Sequence, residues 1–313
     1  MSDGGEQLAP PAAVGFIGLG QMGTPMAARL VQAGFAVQAY DRAEPARQGF
    51  EAAAGLPTVA GAEAACAGVA AVITMLPDGG SVREVLCGGG TDGALAAAAP
   101  GTCVVDMSSS SPIDTLALDE ALRPRGFAVV DAPVSGGVKR ALDGSLAIMV
   151  GGDAGTISRI RPLLAALGGA IFPTGALGSG HAMKALNNYV SAAGLVAAAE
   201  AVIVGTHFGL DPLVVVEVLN ASTGRNNSTE NKLKQQVLSG DFAAGFALRL
   251  MAKDLHTAAE IARHLGVAAP LADACEALWA EADGMLGPGA DHTEIFRYLA
   301  QLKATPKGGG RQE

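Results

Sequence analysis

A lysine and an asparagine one helical turn apart are the residues of this sequence best placed to handle a proton. They are Lys184 and Asn188, in the segment GSGHAMKALNN at 178–188. If this segment is helical, side chains four residues apart project from one face, so an ammonium and an amide point to the same place. A lysine can protonate a developing alkoxide, or accept a hydroxyl proton, once desolvation or a nearby positive charge lowers its pKa. Such chemistry requires a hydride carrier and a carbonyl or alcohol substrate.

Two other interpretations of this segment are open. Taken alone, Lys184 could be a solvated surface lysine. His181, three residues earlier, could share the helical face and act as the acid, or could be only a polar residue at the start of a helix. The motifs that precede the segment favour a catalytic lysine.

A glycine-rich turn near the start of the chain predicts the hydride carrier. An apolar strand at 14–19 leads into the turn, a helical pattern continues to about residue 33, and a second strand at 35–40 follows. The glycines permit a tight turn, the approach of a pyrophosphate to the backbone and close helix–strand packing, with the phosphates at the helix N-terminus. This βαβ unit predicts a dinucleotide site made by Gly18, Leu19, Gly20, Gln21, Met22 and Gly23.

The residues at the end of the second strand bear on the choice of cofactor. Asp41 lies where a carboxylate accepts hydrogen bonds from the adenosine ribose, and it would repel a 2′-phosphate. Arg42 follows directly and could pair with such a phosphate. We therefore expect NAD, with NADP as the alternative.

Further apolar runs alternate with helical patterns and predict the fold. These runs lie at 71–76, 102–106, 127–131, 146–150 and 170–173. The alternation indicates an α/β protein with a Rossmann-type, doubly wound and chiefly parallel sheet, followed by an all-α C-terminal domain. We expect a disordered tail at 1–13, a dinucleotide-binding Rossmann domain at 14–177, an all-helical substrate and dimerisation domain at 178–303 and a disordered tail at 304–313.

Two loops of the first domain could line a ligand crevice, because loops at the carboxyl ends of parallel strands do so. One is the serine run at 108–111, which could instead only cap a helix before Pro112. The other contains Ser135, Gly136 and Gly137, whose backbone amides and hydroxyl could form a nest for a carboxylate, or a simple turn.

The second half contains helical patterns that begin at Asp211-Pro212 and cover 246–264 and 269–282. A polar segment at 221–231 could reach the site or could be only a connection. So much apolar helical surface suggests burial against a partner subunit, so we expect a homodimer or homotetramer.

Composition excludes several classes of function. The chain has 313 residues, a net charge of −9 and no run of basic residues, which argues against a nucleic-acid partner. Four scattered cysteines without a CxxC pair, and histidines without ligand spacing, predict a reduced, metal-free protein. No signal-peptide pattern is seen at the start, and the apolar segment at 189–206 contains Glu200. We expect this segment to be a buried or subunit-interface helix rather than a membrane span, and the protein to be cytoplasmic.

Several motifs, taken together and in order, resemble the β-hydroxyacid dehydrogenase family, which includes 3-hydroxyisobutyrate dehydrogenase and tartronate semialdehyde reductase. The blocks are FIGLGQMGTPMA, DMSSSSP, DAPVSGGVKRALDGSL, GSGHAMKALNN and the later MAKDL at 251–255. The likeness runs from about residue 14 to residue 299. It implies an NAD(P)-dependent interconversion of a short 3-hydroxy acid and its semialdehyde, in the manner of 3-hydroxyisobutyrate dehydrogenase or of a tartronate or other short semialdehyde reductase.

The resemblance also implies roles for individual residues. Lys184 would be the general acid and base, with Asn188, Ser135, Gly136 and Gly137 holding the substrate. The implied cofactor contacts, beyond the first turn, are Leu76, Pro77, Ser109 and Lys253.

Three residues depart from the family pattern. Arg29 stands where the family usually has Asn, Ser109 where it usually has Thr, and Arg140 where it often has Gly. Arg140 adds positive charge near the substrate loop, which leaves room for a larger or more anionic substrate.

Three other functions compete with this one. A 6-phosphogluconate-type decarboxylase would carry His at Asn187 and have a longer second domain. An imine reductase would lack Lys184. A catalytically inactive NAD(P)-binding scaffold is the alternative from a different class, against which the intact Lys184 and Asn188 argue.

Overall fold

The computed structural model describes residues 6–88 and 93–302. The first part of the chain forms an eight-stranded sheet with flanking helices. The strands are β1 (Ala13–Ile17), β2 (Ala36–Tyr40), β3 (Ala71–Thr74), β4 (Cys103–Asp106), β5 (Ala128–Asp131), β6 (Val134–Ser135), β7 (Ala147–Gly151) and β8 (Ala170–Gly175). The helices that connect them are α1 (Gly23–Gln32), α2 (Glu44–Ala54), α3 (Ala62–Cys66), α4 (Gly79–Cys87), α5 (Pro112–Leu122), α6 (Gly137–Asp143) and α7 (Ala154–Leu167).

The strand order places a ligand crevice at one point of the sheet. The order is β2-β1-β3-β4-β5-β7-β6, with β8 paired to β7. Strands β1 to β5 pair in parallel, whereas β7 is antiparallel to β5 and β6. The chain runs from β1 to β2 on one side of it and then crosses over to β3 on the other side, and such a switch point opens a crevice at the carboxyl ends of the strands. The predicted Rossmann-type, chiefly parallel sheet is confirmed.

Buried side chains cover both faces of this sheet. Phe16 packs in the hydrophobic cluster of one face and the next residue, Ile17, in the cluster of the other; Val105 and Val104 divide in the same way. Successive side chains of a strand point to opposite faces. Burial on both faces explains why these strands read as continuous apolar runs.

The second half of the chain is helical, as predicted. Its helices are α8 (Ser179–Phe208), α9 (Pro212–Ala221), α10 (Leu248–His264), α11 (Pro270–Leu286) and α12 (Ile295–Gln301), and a π-helical segment covers Thr229–Val237. The fully buried Trp279 lies in their hydrophobic core, together with Leu195, Leu233 and Leu255. By internal packing, a first compact unit ends at Ala185 and a second begins at Leu186, inside α8 and after the expected boundary at 177/178.

Helix α8 is the one described helix that is long and apolar enough to cross a membrane by length and composition. In its most apolar window, 39% of the residues are buried within the protein. Two of the buried residues, Ala199 and Val202, belong to the hydrophobic core of the second unit. Core helices of globular proteins meet the same criterion of length and composition.

The N-terminal prediction needs a correction. Residues 1–5 of the tail expected at 1–13 lie outside the described residues. Leu8, however, is buried, and its N–H donates to the backbone oxygen of Arg159 at 2.8 Å. The prediction of a tail is therefore wrong from Leu8 onwards, because one buried apolar side chain and one backbone hydrogen bond anchor this segment. The tail expected at 304–313 also lies outside the described residues.

Candidate active site

The glycine-rich turn joins β1 to α1 and is shaped by three glycines. At Gly18, where φ is +103°, a Cβ would overlap the backbone oxygen of Met75, and at Gly23 a Cβ would overlap that of Gly18. Side chains are thus excluded from both positions. At Gly20 a Cβ would meet no atom within 4 Å, so open space borders the backbone there. A turn of this shape lets a pyrophosphate approach the N-terminus of a helix, which fits a dinucleotide cofactor.

Asp41, at the end of β2, is fixed against this turn. Its carboxylate accepts hydrogen bonds from the N–H groups of Leu19 and Ala43, each at 2.7 Å. The guanidinium of Arg47 donates to the backbone oxygens of Asp41 and Arg42, at 2.8 and 3.0 Å. The side chain of Arg42 is exposed. The predicted contacts of Asp41 and Arg42 with the cofactor remain predictions.

The loops that follow β3 and β4 are tied together by a serine. The hydroxyl of Ser108 accepts a hydrogen bond from the N–H of Leu76 at 2.9 Å. Asp106, buried at the end of β4, accepts hydrogen bonds from the hydroxyls of Ser110 and Thr74 at 2.7 and 2.9 Å. Two adjacent loops at the crevice therefore have fixed positions.

The serines of the second loop have different roles. Ser111 accepts a hydrogen bond from the N–H of Ile113 and caps α5, so the capping interpretation is correct for this residue. Ser109 is half-buried on the same loop. Ser109, Leu76 and Pro77 thus lie on the two loops after β3 and β4, and their contact with the cofactor remains a prediction.

His181 is enclosed within the first unit. Its side chain is fully buried, with Nδ1 2.7 Å from the hydroxyl of Thr115 and Nε2 3.1 Å from the backbone oxygen of Ser108. The carboxylates of Asp106 and Asp131 lie 3.7 and 3.8 Å from the ring nitrogens. Both ring nitrogens are engaged inside the protein, which argues against His181 as the acid that meets a substrate.

The start of α8, which carries Lys184, is held by a buried carboxylate. Asp131, at the end of β5, accepts hydrogen bonds from the N–H groups of Gly178 and His181 at 2.8 and 2.7 Å. These bonds satisfy amides that have no partner inside the helix, and the negative charge is favourable at its N-terminus. Lys184 is half-buried and lies one turn further along. The end of β5 therefore fixes the helix turn from which Lys184 projects.

The predicted anion nest lies between β6 and α6. Gly136 and Gly137 have φ values of +133° and +68°, which favour glycine, and both are exposed. A Cβ on Gly136 would overlap the aliphatic part of the Arg140 side chain, which therefore borders the nest. Half-buried Ser135 precedes the glycines. The aliphatic part of the Arg140 side chain thus lies against the loop predicted to bind a carboxylate.

Within the second unit, Asn188 has a partner that the sequence motifs did not indicate. Its Nδ2 donates to the carboxylate of Asp254 at 2.5 Å, and its Oδ1 accepts a hydrogen bond from Asn187 at 3.1 Å. Asp254 is buried, and its other oxygen lies 3.4 Å from Nζ of Lys253. In the sequence, the MAKDL block indicates a cofactor contact for Lys253, and the acid next to this lysine is the one signal that Asp254 could contribute as well.

Family models match both halves of the chain. Residues 13–175 match the NAD binding domain of 6-phosphogluconate dehydrogenase. Residues 178–299 match the model described as NAD-binding of NADP-dependent 3-hydroxyisobutyrate dehydrogenase.

Similar proteins match along nearly their whole length. The 2-(hydroxymethyl)glutarate dehydrogenase of Eubacterium barkeri is 36% identical over 299 residues, which cover 95% of this chain and 98% of that protein. The NAD-dependent L-serine dehydrogenase of Pseudomonas aeruginosa is 38% identical over 264 residues, covering 82% and 88%. Among solved structures, 3-hydroxyisobutyrate dehydrogenase of Mycobacterium tuberculosis with L-serine superposes with a TM-score of 0.83 and 36% identity, covering 92% of this chain and 99% of that one.

Proposed function

The chain belongs to the β-hydroxyacid dehydrogenase family and is an NAD(P)-dependent oxidoreductase, and from that premise we propose that it interconverts a short 3-hydroxy acid and its semialdehyde. The observation that carries the proposal is the position of Lys184. This half-buried lysine lies near the start of α8, whose first amides are held by the buried Asp131.

The residues of the chain supply proton transfer and substrate binding. NAD(P), when bound, accepts or supplies the hydride. In the direction of reduction, Lys184 donates a proton to the developing alkoxide and stabilises its charge; in oxidation, it accepts the hydroxyl proton. Asn188 lies one turn further along the helix, and its amide, oriented by Asp254, holds the substrate hydroxyl. Ser135, Gly136 and Gly137 bind the carboxylate.

NAD is the preferred cofactor in this proposal. The carboxylate of Asp41 is fixed by two backbone N–H groups beside the glycine-rich turn, where it would bind the ribose and repel a 2′-phosphate. Arg42 and Arg47 lie nearby and would allow some use of NADP.

The candidate substrates share one chemical pattern. 3-Hydroxyisobutyrate and tartronate semialdehyde each place a carboxylate two carbons from the oxygen that reacts. The named substrates of the relatives, 2-(hydroxymethyl)glutarate and L-serine, have the same pattern. Arg140 beside the carboxylate nest supports the more anionic members of this set.

A homodimer or homotetramer forms through the exposed apolar stripe of the second unit. On α8, Leu186, Val190, Val204 and Phe208 are 41%, 68%, 67% and 84% exposed and lie on the face opposite Asn188. An apolar stripe of this length on a monomer surface is unusual. Light scattering should give a mass of two or four chains, and Val204→Asp should lower it. A monomeric wild type would contradict the assignment.

We also infer that the protein is cytoplasmic and that α8 packs inside the protein rather than in a bilayer. Its buried residues in the core of the second unit support this. Cell fractionation should recover the protein without detergent, whereas recovery only from membranes would disprove the inference.

The experiment that tests the function is a spectrophotometric panel. Nicotinamide absorbance is followed with NAD and with NADP against short 3-hydroxy acids and their semialdehydes, for the wild type and for Lys184→Ala. Turnover that falls by roughly three or more orders of magnitude in the variant, with cofactor binding retained, would support the proposal. Near-normal turnover in Lys184→Ala would disprove the role of the lysine. Cofactor binding with no wild-type turnover would favour the inactive scaffold.

A further inference from the structure

A second lysine reaches the helix that carries Asn188. Lys232 belongs to the π-helical segment Thr229–Val237, and its Nζ lies 3.4 Å from the hydroxyl of Ser191 on α8. The side chain is half-buried. π-Helical turns are rare and occur often at functional sites. The polar segment of the second half thus brings an ammonium to α8.

Ser191 lies on the face of α8 that also carries the proposed catalytic residues. It follows Asn188 by three residues and Lys184 by seven, so the three positions form one stripe along the helix. One turn separates Ser191 from Asn188, which is roughly 5 Å along the axis. The stripe thus continues from the amide of Asn188 to the ammonium of Lys232.

The surroundings of Lys232 leave its charge only partly compensated. Burial lowers the pKa of this lysine, while the more distant carboxylate of Asp291 acts in the opposite direction. In the part of the chain that the structure describes, no carboxylate forms an ion pair with its ammonium, and the one hydrogen bond, to Ser191, is long. An ammonium has three donors, and a desolvated charge is costly unless an anion pairs with it. The site is thus electrostatically suited to an anionic ligand.

A second fixed contact holds this segment against α8. Asn226 donates from Nδ2 to the backbone oxygen of Gly194 at 3.5 Å, and its Oδ1 accepts hydrogen bonds from the N–H groups of Ser228 and Thr229 at 2.8 and 3.1 Å. Asn226 therefore caps the helical turn at 227–228 that leads into the π-helical segment, and ties it to α8. Because the segment has a fixed position, the ammonium is pre-organised, which favours specific binding.

We propose that Lys232 and Ser191 bind a second carboxylate of the substrate, so that the enzyme prefers a 3-hydroxy dicarboxylic acid or its semialdehyde to a monocarboxylic one. This inference rests on the proposed function and concerns the same site. The second carboxylate lies a few carbon–carbon bonds beyond the carbon that is oxidised, since one helix turn separates Ser191 from Asn188. The ammonium of Lys232 and the hydroxyl of Ser191 donate hydrogen bonds to it.

Matched substrates and matched variants test the inference. The probes are 2-(hydroxymethyl)succinate, its monoamide, in which a neutral amide replaces the distal carboxylate only, and 3-hydroxyisobutyrate. The variants are Lys232→Met, which removes the charge but keeps the length, and Lys234→Met, the control at an exposed lysine of the same segment. We expect Lys232→Met to raise KM for the dicarboxylate roughly 10- to 100-fold, as for the loss of a charged hydrogen bond. KM for the other two probes, and all values for Lys234→Met, should stay near those of the wild type.

The outcomes separate this inference from the function on which it rests. Equal changes of KM for the dicarboxylate and for the monoamide in Lys232→Met would indicate a structural role for Lys232 and overturn the inference. A wild type that does not prefer the dicarboxylate would also overturn it. In both cases, turnover that depends on Lys184 would leave the proposed function standing. Absence of wild-type turnover with these three probes and with the panel of short 3-hydroxy acids and semialdehydes would overturn both.

Discussion

Asn188 on α8 donates its side-chain N–H to Asp254 on α10, at 2.5 Å between Nδ2 and Oδ2. An amide can point either its oxygen or its nitrogen at a given group, and a carboxylate accepts only from the nitrogen. Asp254 therefore determines which end of the Asn188 amide remains for the substrate. Asp254 is a positioning residue in the proposed reaction.

The first prediction concerns this pair. Asp254→Ala should lower kcat/KM by about 10- to 100-fold, because a small misplacement of a positioning group has effects of that order. Asp254→Asn, which retains an acceptor oxygen, should lose less. In a double-mutant cycle with Asn188→Ala, the effects should be strongly non-additive if both residues act as a unit. Additive losses would show that Asp254 acts on something else.

The second prediction separates packing from cofactor binding in the glycine-rich turn. Gly20 borders open space, so Gly20→Ala should change the free energy of unfolding by less than about 0.5 kcal/mol. It should raise KM for NAD roughly tenfold, equivalent to about 1.4 kcal/mol, by obstructing the pyrophosphate. Gly23→Ala places a Cβ on the backbone oxygen of Gly18 and should cost ~3 kcal/mol or more in stability. Unchanged cofactor binding in Gly20→Ala would show that the phosphates bind elsewhere. Thermal denaturation and kinetics measure both effects.

The third prediction compares two helix caps. Asp131 holds two N–H groups at the start of α8 and is fully buried, whereas Asp153 accepts a hydrogen bond from the N–H of Thr156 at the exposed start of α7. Asp131→Ala should cost about 2–5 kcal/mol, because buried donors lose their acceptor, and should lower kcat by displacing Lys184. Asp153→Ala should cost ~1 kcal/mol and leave kcat unchanged. A parallel loss of activity in both variants would mean that general destabilisation, not the position of α8, is responsible.

The sequence alone was sufficient to predict the strands and helices whose hydrophobic pattern is local. The runs that became β3, β4 and β5 were predicted within one or two residues, since strands buried on both faces are apolar throughout. The two-residue strand β6 was missed because Val134 and Ser135 show no period. The π-helical segment was missed because its first residues are polar and its apolar Leu233 and Val237 are isolated.

Contacts between residues that are far apart in the sequence could not be predicted from it, for a physical reason. The spacing of Lys184 and Asn188 shows that they share a helix face, but no pattern indicates that Asp254, 66 residues after Asn188, would be its partner. The end of β5 was recognised as a strand end, yet the capping of α8 by Asp131 depends on how that strand and helix pack. Periodicity describes one element at a time, whereas the site is assembled from several.

The last prediction follows from the charge of Lys232. Burial lowers its pKa, with Asp291, before α12, acting in the opposite direction, so the ammonium is lost at a lower pH than that of an exposed lysine. Binding of a second carboxylate requires the ammonium. The ratio of KM for 2-(hydroxymethyl)succinate to KM for its distal monoamide should therefore be low at about pH 7 and rise towards about pH 10. Taking the ratio cancels the titration of groups that act on both probes, such as Lys184. In Lys232→Arg the ratio should stay flat, because arginine remains protonated over this range. A wild-type ratio as flat as that of the variant would show that the charge of Lys232 does not bind the substrate.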